Sequence, residues 1–184
     1  MSYKNGNMKI IELHENGLDI QFRIRENGVV ELADFSSQEV KKAAMEPKED
    51  IYYPAVEIHR SGTGSLNMHA YKNNINQSSV DFVYEKHELK EQDGGKELEI
   101  VMVSPENLKA VYHMRLFDGV PAVQTWTEIT NEGSEDQGLT YVSSFIYQGI
   151  SRGGNKPYYK KTDIYVPFNS WCCEAQWQKY DAET

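Results

Sequence analysis

The chain has 184 residues, enough for one large layered domain. Its formal charge of -9 and pI near 5.1 would repel phosphate backbones and anionic membranes, so nucleic-acid and membrane-surface partners are not expected. No apolar run approaches the roughly 20 residues of a membrane span, and the polar start, Met1 to Asn7, lacks the apolar core of a signal peptide. A cytoplasmic protein is expected.

In chain order, Met8 to Leu13 reads as a first strand. Leu18, Ile20, Phe22 and Ile24 then alternate with polar neighbours. Alternate residues on a strand point to opposite faces, so this period of two predicts β structure. Asn27-Gly28 predicts a two-residue hairpin turn, with Val29 to Leu32 returning. From Phe35 to Pro47, Ser36 and Glu39 have capping-box spacing and Val40, Ala43 and Ala44 form a thin apolar stripe. That segment reads as a short helix or a loop, ended by Pro47.

Ala55 to His59 is the next expected strand. Ser61 to Gln77, rich in Gly, Ser and Asn, reads as a long loop, and loops of that length are commonly functional or disordered. Val80, Phe82 and Tyr84 are expected to open another strand. Asp93-Gly94-Gly95 turns it into the most regular stretch, from Glu97 to Tyr147, which reads as four strands laid end to end. Turn residues separate them: Ser104-Pro105-Glu106-Asn107, Asp118-Gly119-Val120-Pro121 and Asn131-Glu132-Gly133-Ser134. Gln148 to Lys161 is a second polar loop. Ile164 to Val166 is a short strand, and Trp171 to Tyr180 is the last, with Trp171, Cys173, Ala175 and Trp177 expected on one face and Glu174 on the other. About ten strands and almost no helix predict an all-β fold of two antiparallel sheets packed face to face, with no clear domain boundary from 1 to 184.

Phosphate loops, nucleophile elbows, dinucleotide fingerprints and metal-ligand spacings are missing from the sequence, so no cofactor and no metal are expected. The two cysteines, Cys172 and Cys173, are neighbours. They exclude a disulfide framework and a zinc site, and free thiols are expected. The five histidines, His14, His59, His69, His87 and His113, are scattered. His69 stands out because it shares the long loop with Asn67, Tyr71 and Lys72, which could together hydrogen-bond sugar hydroxyls. Trp126, Trp171 and Trp177 invite stacking on pyranose rings. The bland alternative places Trp177 in the core and leaves Trp171 open. Glu174 alone is no catalytic acid, since glycoside hydrolysis needs two carboxylates roughly 5–10 Å apart. The carbohydrate-contact candidates are therefore His69, Lys72, Trp171 and Glu174, with no catalytic residue assigned.

Several ordered stretches resemble the N-terminal domain of family 36 α-galactosidases. They are Tyr53-Pro54-Ala55-Val56-Glu57-Ile58-His59-Arg60-Ser61-Gly62 and Met68-His69-Ala70-Tyr71-Lys72, then Trp126-Thr127-Glu128-Ile129-Thr130-Asn131-Glu132-Gly133. Leu139 to Phe145 and Phe168 to Trp177 extend the match, so that it covers roughly residues 50–180. The resemblance implies a galactose-mutarotase-like β-supersandwich placed before a (β/α)₈ barrel that carries two catalytic aspartates. Strand–helix alternation is absent up to Thr184, so these residues hold no barrel. The expectation is a non-catalytic piece of a larger retaining glycosidase acting on terminal α-galactosides. Its roles would be scaffolding, homo-oligomerisation and shaping the active-site rim. Two alternatives remain. One is a free-standing carbohydrate-binding module. The other is an aldose-epimerase-like enzyme, in which His113 or His59 would have to converge with a facing Glu.

Overall fold

A computed structural model describes residues 8–38, 52–64, 76–148 and 163–181. The chain is all-β. Among the described residues there are eleven strands and one five-residue helix, α1 (Gln77–Asp81). They fall into two compact units, Met1–Gln148 and Gly149–Thr184.

In the first unit, β1 (Lys9–Glu15), β2 (Leu18–Ile24) and β3 (Val30–Ser37) form an antiparallel three-stranded sheet. The tight turn that starts it is Asn16-Gly17, both at positive φ (52° and 83°), as a two-residue hairpin of matching twist requires. Asn27-Gly28 instead sits in a three-residue loop closed by the Arg25 N–H to Val29 carbonyl bond, with Gly28 alone left-handed. A Cβ on Gly28 would lie 2.8 Å from the Val83 Cβ, so close approach, besides the turn, demands glycine there.

The second sheet is the meander β5 (Val83–Gln92), β6 (Gly95–Val103), β7 (Leu108–Phe117) and β8 (Val120–Asn131). The alternation read from the sequence holds for the core positions of β6 and β7: Leu98, Ile100, Ala110, Tyr112 and Met114 are buried on one face. They pack against Ile11, Ile20, Phe22 and Leu32 of the three-stranded sheet, with the Phe22 and Tyr112 rings edge to face at 5.8 Å. This is the sandwich core. Burial pushes the Tyr112 phenol well above its ordinary value.

The fourth strand expected in the meander leaves it. β9 (Leu139–Val142) pairs with β4 (Ile58–Arg60) and not with β8. Two further expectations are corrected. Ser36 lies in β3 and caps no helix; residues 39–51, with the rest of that proposed segment, lie outside the described residues. Val80 belongs to α1, not to a strand. Asn76 caps that helix, its side chain accepting from the Ser78 N–H. Ser78 and Ser79, both buried, bond the Ile58 carbonyl from their hydroxyls and so fasten α1 to β4.

The second unit is a two-stranded hairpin, β10 (Asp163–Ser170) and β11 (Cys173–Asp181). Trp171 and Cys172 form its turn, and both thiols are free. The expected single face of Trp171, Cys173, Ala175 and Trp177 is broken. Trp171 lies in the turn, and Ala175 is left-handed (φ 50°) opposite a register shift between Phe168 and Ser170. The core reading of Trp177 is also corrected: it is 65% exposed, and Trp171 is 93% exposed.

Candidate functional site

The outer face of the four-stranded sheet carries polar side chains where the inner face carries the core. In the β6–β7 ladder Glu99 stands opposite His113 and Glu97 opposite Arg115; in the β7–β8 ladder Trp126 stands opposite His113. Side chains two apart on one strand share a face, so Glu97 and Glu99 both reach the imidazole. His113 Nδ1 is hydrogen-bonded to Glu97 Oε1 at 2.8 Å and lies 4.0 Å from Glu99 Oε1. The Trp126 indole stacks flat on the imidazole, centroids 4.5 Å apart and planes 5° from parallel. Its Nε1–H donates to Glu128 Oε1 at 3.3 Å, and that oxygen lies 3.7 Å from His113 Nε2.

Glu97 and His113 are both buried although they lie on an outer face. Buried polar groups need partners, and Glu97 has two: its Oε2 accepts from Gln92 Nε2 at 2.7 Å. His113 Nε2 has no protein hydrogen-bond partner. Lys90 bonds Glu99 Oε2, and that hydrogen bond holds the ammonium above its ordinary value. The cluster opens onto a shallow depression lined among others by Lys86, Lys109, Val111 and Glu128. His87 lines it too; burial, then the Lys9 charge, holds this imidazole below its ordinary value.

A second His–Glu pair sits at the β4 edge, with His59 Nε2 2.8 Å from Glu57 Oε1. Glu57 is buried, and its backbone is locked to Ser143: the Glu57 N–H donates to Oγ and the Ser143 N–H to the Glu57 carbonyl. Tyr141 packs on the His59 ring at 5.1 Å.

Both histidines singled out for an epimerase-like enzyme therefore meet a glutamate, and Glu97 and Glu99 bring two acids together where none was assigned. In each pair the acid and the imidazole touch directly. Opposed acid–base chemistry on a sugar needs the two groups on either side of the substrate, within hydrogen-bond reach of its protons rather than of each other. Each of the four described histidines has one ring nitrogen bonded locally: His14 by Asp19 and His87 by the Tyr84 hydroxyl, besides the two pairs above.

Of the candidates read from the sequence, His69 and Lys72 lie outside the described residues. Trp171 and Glu174 are exposed on the hairpin of the second unit. Glu97, Glu99 and Glu128 were missed. The signal was present in the Glu97-x-Glu99 spacing on the strand before His113, but it becomes legible only with the register. That is fixed by the turn at Asn107, which adopts positive φ (60°) between the Ser104–Leu108 hydrogen bonds. No family model matches the sequence, and no curated protein matches it significantly.

Proposed function

We propose that this chain is a non-catalytic N-terminal β-sandwich domain of an α-galactosidase-like glycoside hydrolase, serving as scaffold, subunit contact and active-site rim. The observation that supports the reading is the way the resembling stretches meet. Tyr53–Gly62 and Leu139–Phe145 are about 80 residues apart, yet Ile58 pairs with Val142 and His59 with Tyr141. The Trp126–Gly133 stretch joins them through the Thr127 hydroxyl, which donates to the Ser143 carbonyl. Three of the five resembling stretches, those that the structure describes in the first unit, thus meet through β4, β8 and β9. The test is an assay of the purified chain on an aryl α-galactoside. No turnover is expected, and turnover that survives removal of contaminating enzyme overturns the reading.

A second reading, a carbohydrate-binding module, is favoured by the hairpin. Trp171 presents an exposed indole, as Trp177 does on the same hairpin, and a flat aromatic face stacks on pyranose C–H faces; the His69 loop, the other expected contact, lies outside the described residues. Titration with galactosides, followed by the indole N–H resonances, separates the two. Shifts at millimolar sugar support the module; silent indoles leave the scaffold.

A further inference from the structure

We propose that Glu97, Glu99 and His113 form a binding site for a divalent transition-metal ion of the zinc or manganese class. One donor atom from each of the three lies within 4.8 Å of the others. The carboxylates are oriented for this. Glu97 gives its Oε2 to Gln92 and Glu99 gives its Oε2 to Lys90, so each carboxylate is anchored by its outer oxygen and turns Oε1 toward His113 Nδ1. Side-chain and register constraints thus converge three ligand atoms on one point of the sheet face.

A cluster of acids beside a histidine is common in ion-pair networks, and the second observation is what points to a ligand. The His113 ring is nine-tenths buried, and its Nε2 has no protein hydrogen-bond partner but aims at Glu128 Oε1, 3.7 Å away. Metal-ligating histidines almost always donate their remaining ring N–H to a carboxylate or carbonyl, which fixes the tautomer and orients the ring. A metal on Nδ1 places the proton on Nε2 and gives Glu128 that task. Trp126, flat on the imidazole and bonded to Glu128, holds both in place.

Zinc–nitrogen and zinc–oxygen bonds of about 2.0–2.2 Å put tetrahedral donors roughly 3.4 Å apart. Binding therefore opens the 2.8 Å separation of Nδ1 from Glu97 Oε1 and closes the 4.0 Å separation of Nδ1 from Glu99 Oε1. One imidazole with two carboxylates suits zinc or manganese; calcium and magnesium favour all-oxygen shells. On binding, Nδ1 gives its lone pair to the metal, the neutral imidazole carries its one proton on Nε2, and water completes the coordination shell. Neither the scaffold reading nor the binding-module reading uses this face, so the site stands or falls separately from both.

The test is calorimetric titration of the untagged chain with zinc chloride, carrying Cys172→Ser and Cys173→Ser to remove the exposed thiols as competing ligands. One equivalent bound at micromolar affinity is expected. Glu99→Gln, at a half-buried position that keeps its hydrogen bonds to Lys90 within reach, should weaken it by at least about tenfold, and Glu128→Gln by about tenfold through the orienting bond. Substoichiometric Mn²⁺ should broaden the amide resonances of Glu97, Glu99 and His113 ahead of all others. This readout uses the unsubstituted sheet and decides the matter even if Glu99→Gln fails to fold. No uptake at millimolar metal, an unchanged affinity in folded Glu99→Gln, or broadening centred elsewhere overturns the proposal.

Discussion

The sandwich and the β10–β11 hairpin use the same raw material to opposite ends. Both are antiparallel ladders that carry large aromatic side chains. In the sandwich, Phe22 and Tyr112 are buried against each other. In the hairpin, Tyr165, Phe168, Trp171, Trp177 and Tyr180 are all exposed. Alternation therefore specifies that a strand has two different faces, but it does not specify that either is covered. Coverage needs a second sheet, and an isolated two-stranded hairpin is marginal in water. Aromatic content alone thus cannot tell core from surface, which is why Trp177 reads as core from its pattern and stands in solvent.

The comparison is sharpened most by removing groups from the covered side. Glu31 is fully buried between two arginines, taking Arg23 through Nε and Nη2 and Arg25 through Nη1, and it also accepts the Tyr53 N–H. Glu31→Ala leaves both guanidiniums without their shared carboxylate and should cost about 3–5 kcal/mol, measured by urea denaturation. Phe22→Ala should cost a similar amount, about 3–5 kcal/mol, from lost transfer energy and the cavity beside Tyr112. A loss below about 1 kcal/mol in Phe22→Ala would mean that the two sheets do not clasp around this ring.

The next effect is a backbone one. Gly95 opens β6 opposite Phe117, and a Cβ there would lie 1.9 Å from the Leu116 carbonyl oxygen, with φ at 157°. Gly95→Ala must push β7 away from β6 at the start of the ladder that carries Glu97 and Glu99. About 1–3 kcal/mol is expected, again from urea melts. The amide exchange of Glu97 should accelerate with it.

On the uncovered side the expectation reverses. Trp177→Ala should leave the global melting transition within about 0.5 kcal/mol, because substitutions at exposed positions change little. A cost near that of Phe22→Ala would break the comparison, since it would mean that the hairpin face is covered in solution.

The sandwich was legible because three signals agreed over residues 97–131: unbroken alternation, turn residues at the joints, and strand-forming composition. Legibility ended where partner choice is set by long-range contacts. Nothing local to Leu139–Val142 says that it pairs with Ile58–Arg60 rather than with β8; Ser143 and Glu57, 86 residues apart, decide it through the Glu57 N–H to Ser143 Oγ bond. Helix α1 was missed because the apolar Val80 and Phe82 suggested period two, while the Asn76 cap and the two serines that hold Ile58 carry the local preference. The His113 cluster failed to appear for a related reason. Its members come from three strands, and only the register makes neighbours of them.

The smallest effect tests the tie between the β4 edge and the meander. Arg60, buried, bonds Asp81 from one nitrogen at 3.0 Å and Glu106 from the other. Partial burial alone would raise the Glu106 carboxyl, but hydrogen bonds from Ser104 and Arg60 outweigh it and hold the group below its ordinary value of 4.5. A carboxyl lowered in the folded state contributes stability that is complete above its unfolded value. That contribution shrinks as the pH falls below 4.5 and is gone once the pH passes beneath the lowered folded value. Glu106 is well over a third exposed, so solvent screening leaves only a few tenths of a kcal/mol. Glu106→Gln should therefore be less stable than the parent by that margin at neutral pH and indistinguishable from it at strongly acid pH. Urea midpoints at the two pH values measure the difference. A gap that persists unchanged into acid would assign the effect to the Ser104 turn and not to the charge facing Arg60.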